Sequence, residues 1–347
     1  MITWRPSYFT RQVFYFLTRE VRQLIKTYFY DSTADRIIHD VNLGQKDLMD
    51  NTENLMWVDL FNFTDAEANQ VARVFGFHPL SVEDCLHYSP RAKVDNYEEY
   101  YFFVLHALRY EEESDEEISL EQLNVYLGKN FVVTLHRRTL PTLGKVARDC
   151  LANTRLDVMR KGPDFFLYTI IDGITDMYFP VLDRINVRVE ELEDDLYVQP
   201  TREITEEFLS LKRTTLAMRR AILPQKRIFA SGSGNYAFRV SEDNIPYYLD
   251  LVDHIERIMD SIDSFRDLVD GALATYDSII SARTNETMRI LTVISTIFMP
   301  LTFLTGFFGM NVPLPAQEST ISTLAITIGL FAISLWMFFV FRLRKWI

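Results

Sequence analysis

The sequence predicts an α+β domain with an antiparallel sheet flanked by helices, then long helices, a stalk helix and two closely spaced C-terminal membrane-spanning helices. Three observations carry this reading. Alternating apolar residues recur in the first third of the chain. Helical periodicity takes over after Gly162-Pro163. Two uncharged runs, residues 290–308 and 319–341, are each long enough to cross about 30 Å of hydrocarbon as a helix.

Taken in order, residues 1–50 form an N-terminal extension of unassigned role. Residues 8–29 within it have amphipathic helical spacing through Phe9, Val13, Phe16, Leu17, Leu24 and Tyr28. Arg11, Arg19, Glu20 and Arg22 interrupt the apolar stretch that a secretory signal needs, so no cleaved signal is expected. Residues 51–162 form the α+β domain. Alternation marks strands at 55–60, 101–106, 123–127 and 131–135, with Gly128-Lys129-Asn130 as a hairpin turn. Thr64 N-caps a helix that runs to residue 75, and a second helix covers 141–151. The acidic run 111–117 reads as a solvated loop.

Residues 163–244 are long helices, 164–198 and 205–230, with Ser231-Gly232-Ser233-Gly234 as the break. From Ile245 an apolar face continues without a stop before Pro300, so the stalk helix, 245–289, runs directly into the first span, 290–308. Such a helix exceeds about 60 residues, or about 90 Å. Alone it could not bury its face, which implies a stalk in an assembly. Residues 309–318 form an external loop, 319–341 the second span and 342–347 a basic tail.

Charge sets the topology. Arg289 precedes the first span and Arg342, Arg344 and Lys345 follow the second, whereas the connecting loop has no Lys or Arg. The positive-inside rule then puts both termini in the cytoplasm. Composition narrows the function further. With 36 Lys+Arg against 48 Asp+Glu the formal charge is -12, the wrong sign for nucleic acid and compatible with cations as partners. Cys85 and Cys150 make neither a CxxC nor a zinc spacing. No GxxxxGK[ST] occurs, and His78, His87, His106, His136 and His254 form no nucleophile or metal constellation, so neither an enzyme nor an organic cofactor is expected.

The most specific feature is Gly309-Met310-Asn311, at the outer end of the first of two spans and ahead of a basic tail. This combination closely resembles the CorA family of magnesium channels. Trp57-Val58-Asp59-Leu60, His78-Pro79-Leu80-Ser81-Val82-Glu83-Asp84, Leu211-Lys212-Arg213, Arg219-Arg220-Ala221-Ile222-Leu223-Pro224 and Tyr248 with Asp253-His254 extend the resemblance to roughly residues 50–347.

The resemblance implies a homopentameric funnel in which the first span lines the pore and Gly309, Met310 and Asn311 form the selectivity filter. Counting back from Asn311 places Gly306, Thr302, Met299, Ser295, Leu291, Met288 and Asn285 on one helical face. Met and Leu rings would gate by dewetting; Asn, Ser and Thr rings would contact a hydrated ion. Mg²⁺ holds its waters tightly, so neutral carbonyl oxygens suit it better than a carboxylate ring. Entry is driven by the membrane potential, about 4.6 kcal/mol per 100 mV for a divalent ion. Glu318, the only charge in the outer loop, would attract cations. Feedback by cytoplasmic Mg²⁺ is expected at Glu83 and Asp84, which resemble the family's inter-subunit metal site. Where some members supply the partnering stalk carboxylate this chain has Ala274, leaving Asp270 and Asp277 as substitutes.

Mg²⁺ is the expected cargo, with Co²⁺ and Ni²⁺ as further cargo, and self, membrane lipid and divalent cations are the expected partners. A zinc-transporting relative, whose signature typically has Val for Met310, and a non-conducting membrane-anchored sensor are the alternatives. A bacterial inner membrane is the expected location. The Arg-rich leading segment keeps the mitochondrial inner membrane as the alternative.

Overall fold

The structure, a computed structural model, describes residues 24–44, 51–110, 118–154, 156–230, 237–310, 320–344 and 346. Two compact units divide the chain: Met1–Leu192 with Glu207–Val269, and Glu193–Glu206 with Asp270–Ile347.

The first unit is built on a seven-stranded sheet of order β2-β1-β3-β7-β6-β5-β4. Its strands are β1 (Leu24–Asp31), β2 (Arg36–His39), β3 (Leu55–Phe61), β4 (Lys93–Asn96), β5 (Tyr100–Tyr110), β6 (Ile118–Gly128) and β7 (Phe131–His136). All four expected strands are present, and two corrections follow. Residues 24–29, expected as the end of a helix, are strand: β1 pairs with β3 from Leu24↔Phe61 to Tyr30↔Leu55. Tyr28, Phe29 and Tyr30 are all buried, so the consecutive aromatics serve both faces of the sheet and hide the alternation that marks a strand. Residues 8–23 lie outside the described residues. The sheet is also mixed, because β3 and β7 at its centre run parallel, Met56↔Phe131 through Phe61↔His136. At the β6–β7 turn a Cβ on Gly128 would lie 2.1 Å from the Phe131 ring, so any larger residue there has to displace that ring.

Helices cover both faces. On one, α1 (Asp65–Phe75) and α2 (Pro79–Leu86) bury Val71, Ala72, Val82 and Cys85 against Val58, Phe102 and Tyr126. Thr64 caps α1 as expected, in a reciprocal capping box with Glu67. The other face meets α3 (Pro141–Leu151), α4 (Leu156–Arg160), α5 (Pro163–Asp176) and the end of α7 (Arg202–Phe229). There Trp57 lies 5.2 Å from the Phe166 ring and Phe103 stacks at 6.4 Å on Phe229. On the same face as Trp57 runs a buried polar chain. Trp57 Nε1 donates to Thr134 Oγ1 at 3.0 Å, and Thr134 donates to Asp59 Oδ1 at 2.6 Å. The same oxygen lies 3.2 Å from His136 Nε2.

Residues 164–198 were expected as one helix and are two, α5 and α6 (Tyr178–Val198). Pro180 has no N–H to offer the Asp176 carbonyl, so the ladder restarts there. The window Pro163–Val198 is apolar and long enough to cross a membrane, yet 56% of its most apolar stretch is buried within the fold. For the windows Glu242–Phe308 and Thr323–Leu343 the shares are 6% and 0%, which separates core helices from spans.

A 64-residue helix, α8 (Ile245–Phe308), runs through the expected stalk and first span without interruption. Its start is clamped to α5: Asp164 Oδ2 accepts from Ser241 N at 2.8 Å and Asn244 Nδ2 at 3.0 Å, while Tyr248 donates to the Asp164 carbonyl. Arg219–Asp263 and Lys226–Glu256 ion pairs, both 2.8 Å, tie α7 to it. The second apolar helix is α9 (Thr320–Leu343). The acidic run 111–117, the 231–234 turn and Lys345 lie outside the described residues.

Candidate functional site

The expected pore face lies on the last part of α8. Asn285, Met288, Leu291, Ser295, Met299, Thr302 and Gly306 are all exposed, Met299 by 76%. On the same helix Val293, Ile297, Pro300, Leu301 and Leu304 are shielded. At about 100° per residue the two lines point roughly 180° apart. One face is therefore already covered within the chain, and the opposite face carries the alternating polar and apolar positions. α9 likewise shields one line, through Ile326, Leu330, Ile333, Met337 and Val340, and exposes large apolar residues elsewhere. Arg342 occupies its last turn, and Trp346 stacks on Phe341 at 5.7 Å.

The exposed hydroxyls on this part of α8 differ in their partners. Thr292, Thr296 and Thr305 donate to the carbonyls of Met288, Thr292 and Leu301. Among the described residues no such bond ties Ser295 or Thr302, whose hydroxyls stay available on the exposed line. The helix ends where Gly309 N donates to the Thr305 carbonyl at 2.9 Å and Met310 N reaches the Phe307 carbonyl at 3.4 Å. A Cβ on Gly309 would sit 2.9 Å from that Thr305 oxygen, so this turn accepts only glycine without moving backbone. Asn311 and Glu318 lie outside the described residues.

The expected regulatory acids are on two elements. Glu83 is exposed on α2, and its carbonyl receives His87 N. Asp84, half-buried, is paired at 2.8 Å with Lys93, which also holds Asp95 at 2.7 Å. A metal at Asp84 would compete with that ammonium. Asp270 and Asp277 are exposed on α8.

A further group escaped the sequence reading. Asp172 and Asp176, one turn apart on α5, meet His254 on α8, with ligand atoms within 4.8 Å of one another. His254 Nδ1 lies 3.4 Å from Asp172 Oδ1, and its Nε2 lies 3.6 Å from Asp250 Oδ2. Both of these facing atoms, Asp172 Oδ1 and His254 Nδ1, are buried, and their mutual contact does not meet hydrogen-bond geometry. Burial, then the charge of Asp176, hold the Asp172 carboxyl above its usual range; Asp250 adds to this and His254 opposes it. Carboxylate oxygens with one imidazole form a donor set for a divalent cation. The pairs Asp172/Asp176 and Asp250/His254, each spaced i,i+4, were visible in the sequence; their meeting was not.

An α+β unit joined through one unbroken helix to span-length apolar helices, with a Gly-Met turn closing the first, defines a membrane protein with a large extramembrane part. A family model described as CorA-like Mg²⁺ transporter protein matches residues 52–345. The chain is 34% identical over 256 residues to the cobalt/magnesium transport protein CorA of Thermotoga maritima, covering 74% of this chain and 72% of that one. It is 23% identical over 294 residues to the protein of the same name from Methanocaldococcus jannaschii, covering 84% and 92%. The solved structure of the CorA magnesium transporter from Methanocaldococcus jannaschii superposes with a TM-score of 0.81 at 22% identity, over 94% of this chain and 100% of that chain, and shows the shared fold. The chain belongs to the CorA family, as the sequence resemblance implied.

Proposed function

We propose that the protein is a subunit of a homopentameric divalent-cation channel that admits Mg²⁺, with Co²⁺ and Ni²⁺ as further cargo. The observation that carries this reading is the exposed line Asn285 to Gly306 on α8, opposite the shielded line and leading into the Gly309-Met310 turn. An exposed apolar face at membrane depth needs partners, and copies of the same helix around an axis supply them. Its apolar rings would exclude water, and its free hydroxyls would meet the hydrated ion. Gly309, Met310 and Asn311 form the filter in this reading, and Glu318 raises the local cation concentration. An inside-negative potential drives entry. Names of relatives such as the Thermotoga maritima cobalt/magnesium transport protein support the choice of cargo. Both termini lie on the cytoplasmic side in this reading, by the charge asymmetry around the spans, and the membrane is taken as a bacterial inner membrane.

Feedback by cytoplasmic Mg²⁺ belongs to the same reading. Glu83, Asp84, Asp270 and Asp277 remain its candidate ligands. A second group, Asp172, Asp176 and His254 with Asp250 beside it, is favoured by its converging ligand atoms and by the buried Asp172 Oδ1 and His254 Nδ1, which face each other at 3.4 Å. A divalent ion there would neutralise carboxylates that repel one another and so favour one arrangement of α5 against α8.

The deciding experiment is flux of Mg²⁺, Co²⁺ and Zn²⁺ into proteoliposomes with and without an imposed inside-negative potential. Potential-driven Mg²⁺ uptake that disappears in an assembled Asn311→Ala variant is the expected result. Unaltered uptake in that variant overturns the filter assignment, zinc preference overturns the cargo, and no flux from the wild type leaves a sensor.

A further inference from the structure

Pro300 lies inside α8, in its apolar run, with Leu291 and Ser295 below it and Thr302 and Gly306 above. Proline has no N–H, so the Thr296 carbonyl loses its donor four residues on, and the ring presses against that carbonyl. The turns beneath are already biased. Thr292 Oγ1 donates to the Met288 carbonyl at 2.7 Å and Thr296 Oγ1 to the Thr292 carbonyl at 2.7 Å. Hydroxyls that bond back in this way weaken and bend a helix. Three successive acceptors of one i,i+4 track, at Met288, Thr292 and Thr296, therefore have a shared or missing partner.

The direction of the bend follows from where Pro300 sits. It belongs to the shielded line with Val293, Ile297 and Leu304. Because the ring opens the ladder on its own side, the concave side is the opposite face, which carries Leu291, Ser295 and Thr302.

We propose that Pro300, assisted by Thr296, is a positioning hinge that tilts the Leu291 end of the span toward the pore axis relative to the filter end. This rests on the pore reading given above. Nine residues separate Leu291 from Pro300, about 13.5 Å along the axis. A bend of about 20° over that length moves Leu291 sideways by about 4–5 Å. That exceeds the diameter of a water molecule, so straightening the helix withdraws the Leu291 ring and wets the constriction.

The test uses the full chain with Pro300→Ala, which restores the missing N–H and so strengthens the helix, and Thr296→Val, which removes one back-bond while keeping a β-branched shape. Leak is measured in proteoliposomes at saturating Mg²⁺ on the side of the α+β unit. In parallel, pulsed electron resonance reads the distance between subunits from a spin label on Ile290→Cys, a position off the pore line. Severalfold more leak in Pro300→Ala, a smaller rise in Thr296→Val and Ile290 distances longer by about 5–6 Å between neighbouring subunits and about 8–9 Å between non-neighbouring ones are expected. A proline with only a structural role changes thermal stability and leaves leak and distance at wild-type values, which overturns the hinge. If the wild type conducts nothing, the pore reading falls, and the Ile290 distance still decides whether Pro300 bends the helix.

Discussion

Replacing Asp59 with alanine removes the one oxygen on which two buried donors converge. Thr134 Oγ1 reaches it at 2.6 Å and His136 Nε2 at 3.2 Å, and Trp57 Nε1 depends on the same chain through Thr134. His136 also has Nδ1 at 2.6 Å from the Arg138 carbonyl, so both ring nitrogens face acceptors and the imidazolium satisfies both. Burial pushes the His136 pKa down, but the hydrogen bond and charge of Asp59, with the Arg138 carbonyl, outweigh it and leave the pKa raised. Removing one partner of a buried ion pair costs about 3–5 kcal/mol. For a unit of this size each kcal/mol moves Tm by about 2–4 °C, so Asp59→Ala should melt about 6–20 °C lower. The readout is thermal unfolding of the detergent-solubilised chain followed by tryptophan fluorescence, since Trp57 is fully buried. The pH dependence has a definite sign. With its folded pKa raised, His136 contributes stability that is complete below its unfolded value, about 6.5, and lost as pH rises through the folded value. Wild type should therefore lose stability across that window, and Asp59→Asn should lose less. A Tm within 2 °C of wild type for Asp59→Ala, on the scale of about 2–4 °C per kcal/mol, refutes the pairing.

Three further outcomes are expected. Leu291→Asp should hydrate the constriction and raise leak under closing conditions, and wild-type leak would place the gate elsewhere. Gly309→Ala puts a Cβ 2.9 Å from the Thr305 carbonyl oxygen and should displace the Gly309-Met310 turn; if that turn is part of the proposed filter, Mg²⁺ selectivity is lost while the oligomer persists, and unchanged selectivity counts against the assignment. Asp172→Asn should move the midpoint of Mg²⁺-dependent protease protection at least about tenfold higher, the lower end of what metal-site partners typically carry. Comparison with Asp84→Ala, which only frees Lys93 if Asp84 is structural, tells the two candidate sites apart.

The spans were legible because their signal is local. Nineteen consecutive uncharged residues, 290–308, say the same thing whatever else the chain does, and α8 and α9 lie where the runs predicted. The N-cap at Thr64 and the hairpin turn at Gly128-Lys129-Asn130 are also short-range patterns, and the structure bears both out. The stretch 163–198 was legible as helical, but its burial rather than its composition separates it from a span.

What stayed hidden depends on partners far apart in the chain. β1 fits a helix by its Leu24 and Tyr28 spacing and becomes a strand because β3 offers it an edge more than two dozen residues on. The parallel register of β3 with β7 and the union of Asp59 with His136 follow from that sheet order. Asp172 and His254 each look like ordinary helix-surface residues in sequence. Periodicity and charge runs are properties of a segment and survive in the sequence alone, whereas the convergence of Asp172, Asp176 and His254 exists only because the Asp164 clamp sets α8 beside α5.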